Sequence, residues 1–194
     1  MARSKTSVVP HRRRREQKTD YKKRLKLLKS GTPRLVVRKS NANIVCQIVE
    51  YHPEGDRTLI TASSRELPKI AGWKGNTGNI PSAYLTGLLC GTRARGKVKE
   101  AVLDFGLTRS TKGNRTYAAL KGVVDGGLSV PHSEEILPDE ERIKGSHIAS
   151  LGEHLKKQNA EGYKSRFSAY IRNKVSPETL PKHFEETKAK ILKS

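Results

Sequence analysis

Cysteine occurs only twice in the 194 residues, tryptophan and methionine once each, and Phe, Trp and Tyr together reach 5%. Two thiols cannot staple a chain of this length, which excludes a disulfide scaffold. Cys46 and Cys90 both sit inside apolar stretches, so they read as buried reduced thiols, with a disulfide or a metal site as the remaining alternatives. No run approaches the ~18 apolar residues of a membrane span. The N-terminus also lacks the roughly 7–15-residue apolar stretch of a signal peptide. The chain is therefore expected to be cytosolic. Its six histidines (11, 52, 132, 147, 154, 183) are scattered, and no His/Cys spacing matches a zinc site. Neither a metal nor a cofactor is expected.

Acidic residues are scarce at the start. Residues 1–30 hold 12 basic and 2 acidic side chains, a net +10, half of the whole chain's +20. With a pI near 10.2 the surface attracts polyanions at any physiological pH. An acidic membrane would call for Trp or Phe beside the lysines, and the basic segment has neither. Nucleic acid is the expected partner. The footprint is Arg12, Arg13, Arg14 and Arg15 followed by Lys18, Lys22, Lys23, Arg24, Lys26 and Lys29. The bland alternative for it is a solvated charge run or a localisation signal. Arginine pairs with phosphate bidentately and stacks on unpaired bases, both useful on folded RNA. No helix-turn-helix, zinc finger or zipper is present to read a DNA groove, so RNA is favoured and DNA is not expected.

Hydrophobic content of 34% leaves room for one core to which part of the chain does not contribute. Residues 1–18 have no apolar periodicity and should be disordered alone. From Thr19 or Asp20, a helix cap, Tyr21, Leu25 and Leu28 fall at i, i+4, i+7, beside a parallel stripe of Lys22, Lys26 and Lys29. One face is expected to dock while its neighbour meets the polyanion, and Gly31 and Pro33 stop the helix. Three runs rich in Val, Ile and Thr (34–40, 43–51, 57–64) with short connections predict an antiparallel meander. A helix from Pro81 to about 95, a fourth strand over 100–107 and a helix over 114–125 follow. The fold class is thus α/β, a mixed sheet in which an antiparallel meander is joined by a helix crossover to the fourth strand. The expected core is Leu35, Val37, Ile44, Cys46, Ile48, Leu59, Leu85, Leu88, Leu89, Val102, Leu103, Leu120 and Val124. Helical pieces then follow, with Tyr163, Phe167, Tyr170, Ile171 and Val175 on one face and a last helix interrupted by Pro181. The division is a basic arm and helix (1–30), an α/β core (31–128) and a helical C-terminal extension (129–194) that wraps a surface.

Three stretches imitate chemistry. GTRARGKV (91–98) meets G-x-x-x-x-G-K, but Val98 stands where Ser or Thr must reach magnesium, and the stretch follows a helix instead of opening one. It reads as a helix C-terminus with Gly96 as terminator. GWKGNTGN (72–79) lacks dinucleotide-loop spacing; it is either an RNA-contacting loop presenting Lys74, Asn76 and Asn79 or a plain surface connection. The five acids within Glu134–Glu141 are consecutive and flank Pro138, which fits a solvated turn.

The strings RRRREQKTDYKKRLKLLKS, TPRLVVRKSNANIVCQIVEY, SSRELPKIAGWKGNTGNIPSAYLTGLLCG, AVLDFGL, PHSEEILPDEERIKGSHIA and FSAYIRNKVSPETLPKHFEE resemble, in this order, the archaeal-type large-subunit ribosomal protein family that binds 5S rRNA. The likeness covers nearly the whole chain, and the length is similar to the archaeal members, without the further C-terminal extension of the eukaryotic ones. The resemblance implies a ribonuclease-H-like topology. It implies a structural role attaching 5S rRNA to the large subunit in the central protuberance, with contacts to 23S rRNA and neighbouring large-subunit ribosomal proteins. It places RNA contacts on Arg12–Arg15, Lys18, Lys22, Lys23 and Arg24, then on Arg38, Lys39 and Asn41, the loop residues Lys74, Asn76 and Asn79, and Arg93. GTRARGKVKEA departs from the family wording, so Arg95 and Lys97 are not carried over. A nuclease on such a fold would need clustered strand carboxylates, and the first strand, RLVVRKS, carries no acid, so no enzyme is expected. The alternative function is an RNA chaperone or regulator outside the ribosome.

Overall fold

A single turn of helix, α1 (Arg12–Arg15), opens the ordered arm of the computed structural model, which describes residues 8–193. Arg3 and Lys5 lie outside the described residues. Like-charge repulsion in the arm is relieved by Glu16, 3.8 Å from Arg12 and 2.9 Å from Lys18, and Arg13 donates to the Thr19 hydroxyl at 2.8 Å. Asp20 caps α2 (Tyr21–Leu28), accepting from the N–H groups of Lys22 and Lys23 at 3.0 and 3.1 Å.

The β-branched runs form β1 (Arg34–Lys39), β2 (Ile44–Glu50) and β3 (Arg57–Ser63). β1 pairs antiparallel with β2, and β2 with β3. A short helix, α3 (Leu67–Ile70), precedes α4 (Ile80–Ala94), whose crossover delivers β4 (Val102–Asp104) parallel to β1. The order β3-β2-β1-β4 is the mixed sheet expected, a meander and then a crossover. α5 (Arg115–Asp125) follows, capped by Asn114.

Leu35, Val37, Ile44, Cys46, Ile48, Ile60 and Ala62 pack with α4 and α5 in one core. Leu59, expected there, is instead 43% exposed. Ile60 stands opposite Ile48 and Thr58 opposite Val49, so Leu59 is the extra residue of a β-bulge and turns away from the helices. Val102, Leu103 and Val124 are only partly buried, because β4 is a three-residue edge strand and Val124 lies at the margin of α5.

α4 and α5 meet backbone to backbone. A Cβ on Gly87 would collide with the Ala119 carbonyl oxygen, and one on Gly122 with that of Tyr84; one on Gly126 would sit 2.7 Å from the Gly91 Cα. Paired Gly-x-x-x-Gly notches therefore set the distance between the helices. Beyond them, Gly96 (φ +76°) ends α4 as expected, and Arg95 bonds the Gly126 carbonyl at 2.8 Å.

The C-terminal region supplies α6 (Glu140–Lys144), α7 (Ser146–Gln158), α8 (Ala160–Arg166), α9 (Ser168–Arg172) and α10 (Leu180–Lys193). Ile143, Phe167, Tyr170, Leu180, Phe184 and Ile191 all join the same core cluster as the sheet. The chain breaks phase at Phe167, between α8 and α9, which leaves Ile171 46% exposed instead of on the packed face. Pro181 does not interrupt the last helix; it sits in the first turn of α10, where its missing N–H costs nothing.

Two outcomes follow. Burial raises the pKa of the Cys46 thiol and pushes that of Cys90 up to about 12, so neither should react with a thiol reagent before the protein unfolds, as timed labelling with and without denaturant will show. Gly87→Ala or Gly122→Ala should force the helices apart and cost about 3 kcal/mol or more in urea unfolding, because the clash is with backbone and cannot be relieved by a rotamer.

Candidate nucleic-acid interface

α2 carries its cations on two sides, and they do different things. Lys23 Nζ bonds the Gly106 carbonyl at 3.0 Å and lies 3.7 Å over the Phe105 ring, while Arg24 grips both oxygens of Asp56 at 2.8 and 2.9 Å. These contacts fix the helix at the β1–β4 end of the sheet. Its docked face runs through Lys23, Arg24, Leu27 and Leu28, and Leu25, expected to dock, is 57% exposed. The ion pair to Asp56 and the hydrogen bond to the Gly106 carbonyl set the rotation that apolar spacing alone assigned differently. Lys22, Lys26 and Lys29 face solvent, as do Arg12–Arg15 and Lys18.

Beneath the arm lies an alternating chain of charge, Arg24–Asp56–Arg34–Asp104–Arg38. Arg34 is buried, with 4% of its side chain exposed, and donates to Asp56 at 2.6 Å and Asp104 at 3.1 Å. Arg38 reaches the Asp104 carboxylate at 3.2 Å and its carbonyl at 2.7 Å. Each carboxylate is shared by two guanidiniums, which offsets the desolvation of Arg34. Asp104, at the end of β4, is thus held within this network. Among the described residues no group of three or more His, Cys, Asp or Glu is placed to hold a metal.

A second group forms at the far end of β1. Asn41 is exposed and Lys39 half-buried near the β1–β2 turn, beside the glycine-rich loop with its exposed Lys74 and Asn76. The loop is a clasp. Thr77 donates to the Ala42 carbonyl at 2.7 Å, and Arg115 donates to the carbonyls of Ser40 and Gly78 at 3.0 and 2.6 Å. The Asn76 side chain accepts from the Gly78 N–H at 2.7 Å. Asn79 caps α4 through Ser82 at 3.0 Å and donates to the Tyr170 hydroxyl at 3.1 Å. Lys74 N–H donates to His183 Nε2 at 3.0 Å, a bond that requires neutral imidazole; burial holds the His183 pKa below its ordinary value. Arg93 bonds Glu66 at 2.7 Å and the Thr61 carbonyl on β3. Sequence reasoning passed over Arg115 and Asp56. Nothing in their spacing marks them, although the Asn-Ile-Pro-Ser string at 79–82 already carries the cap signature that explains Asn79.

The model of the family of ribosomal large-subunit proteins 60S L5 and 50S L18 matches residues 5–101 and 93–133. The chain belongs to this family. It is accordingly a large-subunit ribosomal protein, part of an rRNA-binding assembly that works in translation, in a family that is structural in role and not enzymatic. The match takes in the arm, the whole sheet, α4 and α5; the helices from 134 onward lie beyond it. Its two segments overlap across 93–101. No helix of the described residues is long and apolar enough to cross a membrane.

Asp104→Ala should leave Arg34 buried with one partner fewer and lower stability by about 3–5 kcal/mol in urea unfolding. Asp56, more exposed, should cost less when changed to Ala, but it should release Arg24 and speed tryptic cleavage within α2.

Proposed function

We propose that this protein binds 5S rRNA and attaches it to the large subunit in the central protuberance, with contacts to 23S rRNA and neighbouring large-subunit proteins, ribosome-bound in the cytoplasm. The observation that carries the reading is the division of labour in the arm. Lys23 and Arg24 anchor α2 to the sheet, leaving Lys22, Lys26 and Lys29 outward on a fixed helix, and Arg12–Arg15 and Lys18 stand outward in the segment that precedes it. Such a surface neutralises phosphates and releases counterions. Because its helix is already docked, less ordering entropy is lost on binding than for a free tail.

Lys39, Asn41, Lys74 and Asn76 form a second contact group. It lies at the β1–β2 turn and the glycine-rich loop, on different elements from the arm, which supports contact with a second RNA segment. Lys23, Arg24, Arg38, Asn79 and Arg93 are assigned to positioning, since their polar groups are engaged within the protein.

Deleting residues 1–18 removes no buried side chain among the described residues, so the domain should stay folded by circular dichroism. If the arm neutralises about four to six phosphates, the slope of log K against log salt for 5S rRNA should flatten by about 3–5. Filter binding across a salt series measures it, and an unchanged slope with a folded deletion variant rejects the arm as the clamp. Co-sedimentation of the intact protein with large subunits separates the ribosomal role from that of a free RNA chaperone.

A further inference from the structure

Tyr21 is the partition between two neighbouring cavities, of about 670 and 490 Å³, and forms a wall of both together with Leu107. Leu107 is 57% exposed, and Tyr21 is half-buried. Arg13 and Lys18 line the larger cavity, and Arg14 and Lys22 the smaller, all four being exposed cations that take no part in holding α2 to the sheet. His11, also exposed, lies 5.2 Å from the Tyr21 ring at an interplanar angle of 44°. An aromatic ring and an open aliphatic side chain are therefore enclosed by cations on both sides.

Cations alone would suit a duplex, which presents phosphates and hides its bases. An apolar wall between them has no counterpart on a duplex backbone. An unpaired nucleotide matches both parts, because it offers a flat base to the ring and a phosphate to the guanidinium or ammonium beside it. The two volumes lie within the range of small-ligand sites. Asp20 lines both cavities; it is the single carboxylate of the smaller, where it leaves the Arg14 side for a phosphate, and in the larger Asp56 and Asp104 are each already matched by two guanidiniums.

We infer that the Tyr21–Leu107 wall takes up unpaired RNA nucleotides, with a base stacked on the Tyr21 ring and the phosphates held by Arg13 and Lys18 or by Arg14 and Lys22. The inference rests on the rRNA-binding reading and deepens it: the arm selects looped or bulged RNA and does more than collect phosphates.

The test uses the full chain and two variants, Tyr21→Phe, which keeps the ring, and Tyr21→Leu, which keeps apolar bulk for docking but removes the π face. Fluorescence anisotropy is read with a mixed-sequence single-stranded RNA decamer, a duplex with the same number of phosphates, and 5S rRNA, at one salt concentration and then across a series. Tryptic resistance of α2 checks that the arm stays docked. Tyr21→Phe should bind the decamer within about twofold of the parent. Tyr21→Leu should lose roughly tenfold or more on the decamer, with an unchanged salt slope and unchanged duplex affinity. Equal binding of the decamer by Tyr21→Leu and the parent overturns the inference, as does an equal loss on decamer and duplex. If the parent chain fails to bind 5S rRNA, the reading under Proposed function falls; if 5S rRNA binds and Tyr21→Leu changes nothing, only the cavity assignment falls.

Discussion

One buried guanidinium, that of Arg34, ties β1, β4 and the loop before β3 together by charge. It opens β1, and its two carboxylate partners come from different places, Asp104 at the end of β4 and Asp56 just before β3. An arginine moved out of water is costly unless its charge is matched and its donors are used. Here both terminal nitrogens are used, and only Nε has no partner. The arrangement ties an edge strand to its neighbour and a loop to the sheet, and Asp56 then has an oxygen to offer Arg24. The arm is docked on the sheet because the sheet's own charge balance leaves it a carboxylate.

That dependence explains why the sheet could be read from sequence and the arm only in part. Strand runs, the crossover and the two long helices each announce themselves locally, through Val and Ile clusters, Asn and Asp caps and terminating glycines. Leu59 and Leu25 were misplaced for the same reason. In each case adjacent or near-adjacent apolar residues compete for one buried direction, and a distant partner decides between them: Ile48 through the bulge for β3, Asp56 and Gly106 for α2. Cations were countable in the sequence, but their division into anchors and free charges was not, because it depends on carboxylates 32 residues away for Arg24 and 66 for Arg38.

The glycine-rich loop shows a similar limit. Its composition looks like open, adaptable chain, yet Trp73 is buried and stacks on His183 at 5.2 Å, and Asn173 bonds the Lys74 carbonyl at 2.9 Å. Asn79 joins the start of α4 to Tyr170. These three partners lie in the last quarter of the chain, so the C-terminal segment helps to close the site-bearing loop and contributes to the same core.

The paired glycine notches between α4 and α5 have a mechanical consequence. Each notch receives a carbonyl or a backbone carbon of the opposite helix, like a key in a keyway, so the helices cannot slide along one another unless both notches are vacated together. Moving by a single residue, about 1.5 Å, would already bring Cβ-bearing positions into the gap. Since α4 follows the meander and α5 leads into the C-terminal helices, the two halves of the molecule meet across a contact that resists shear.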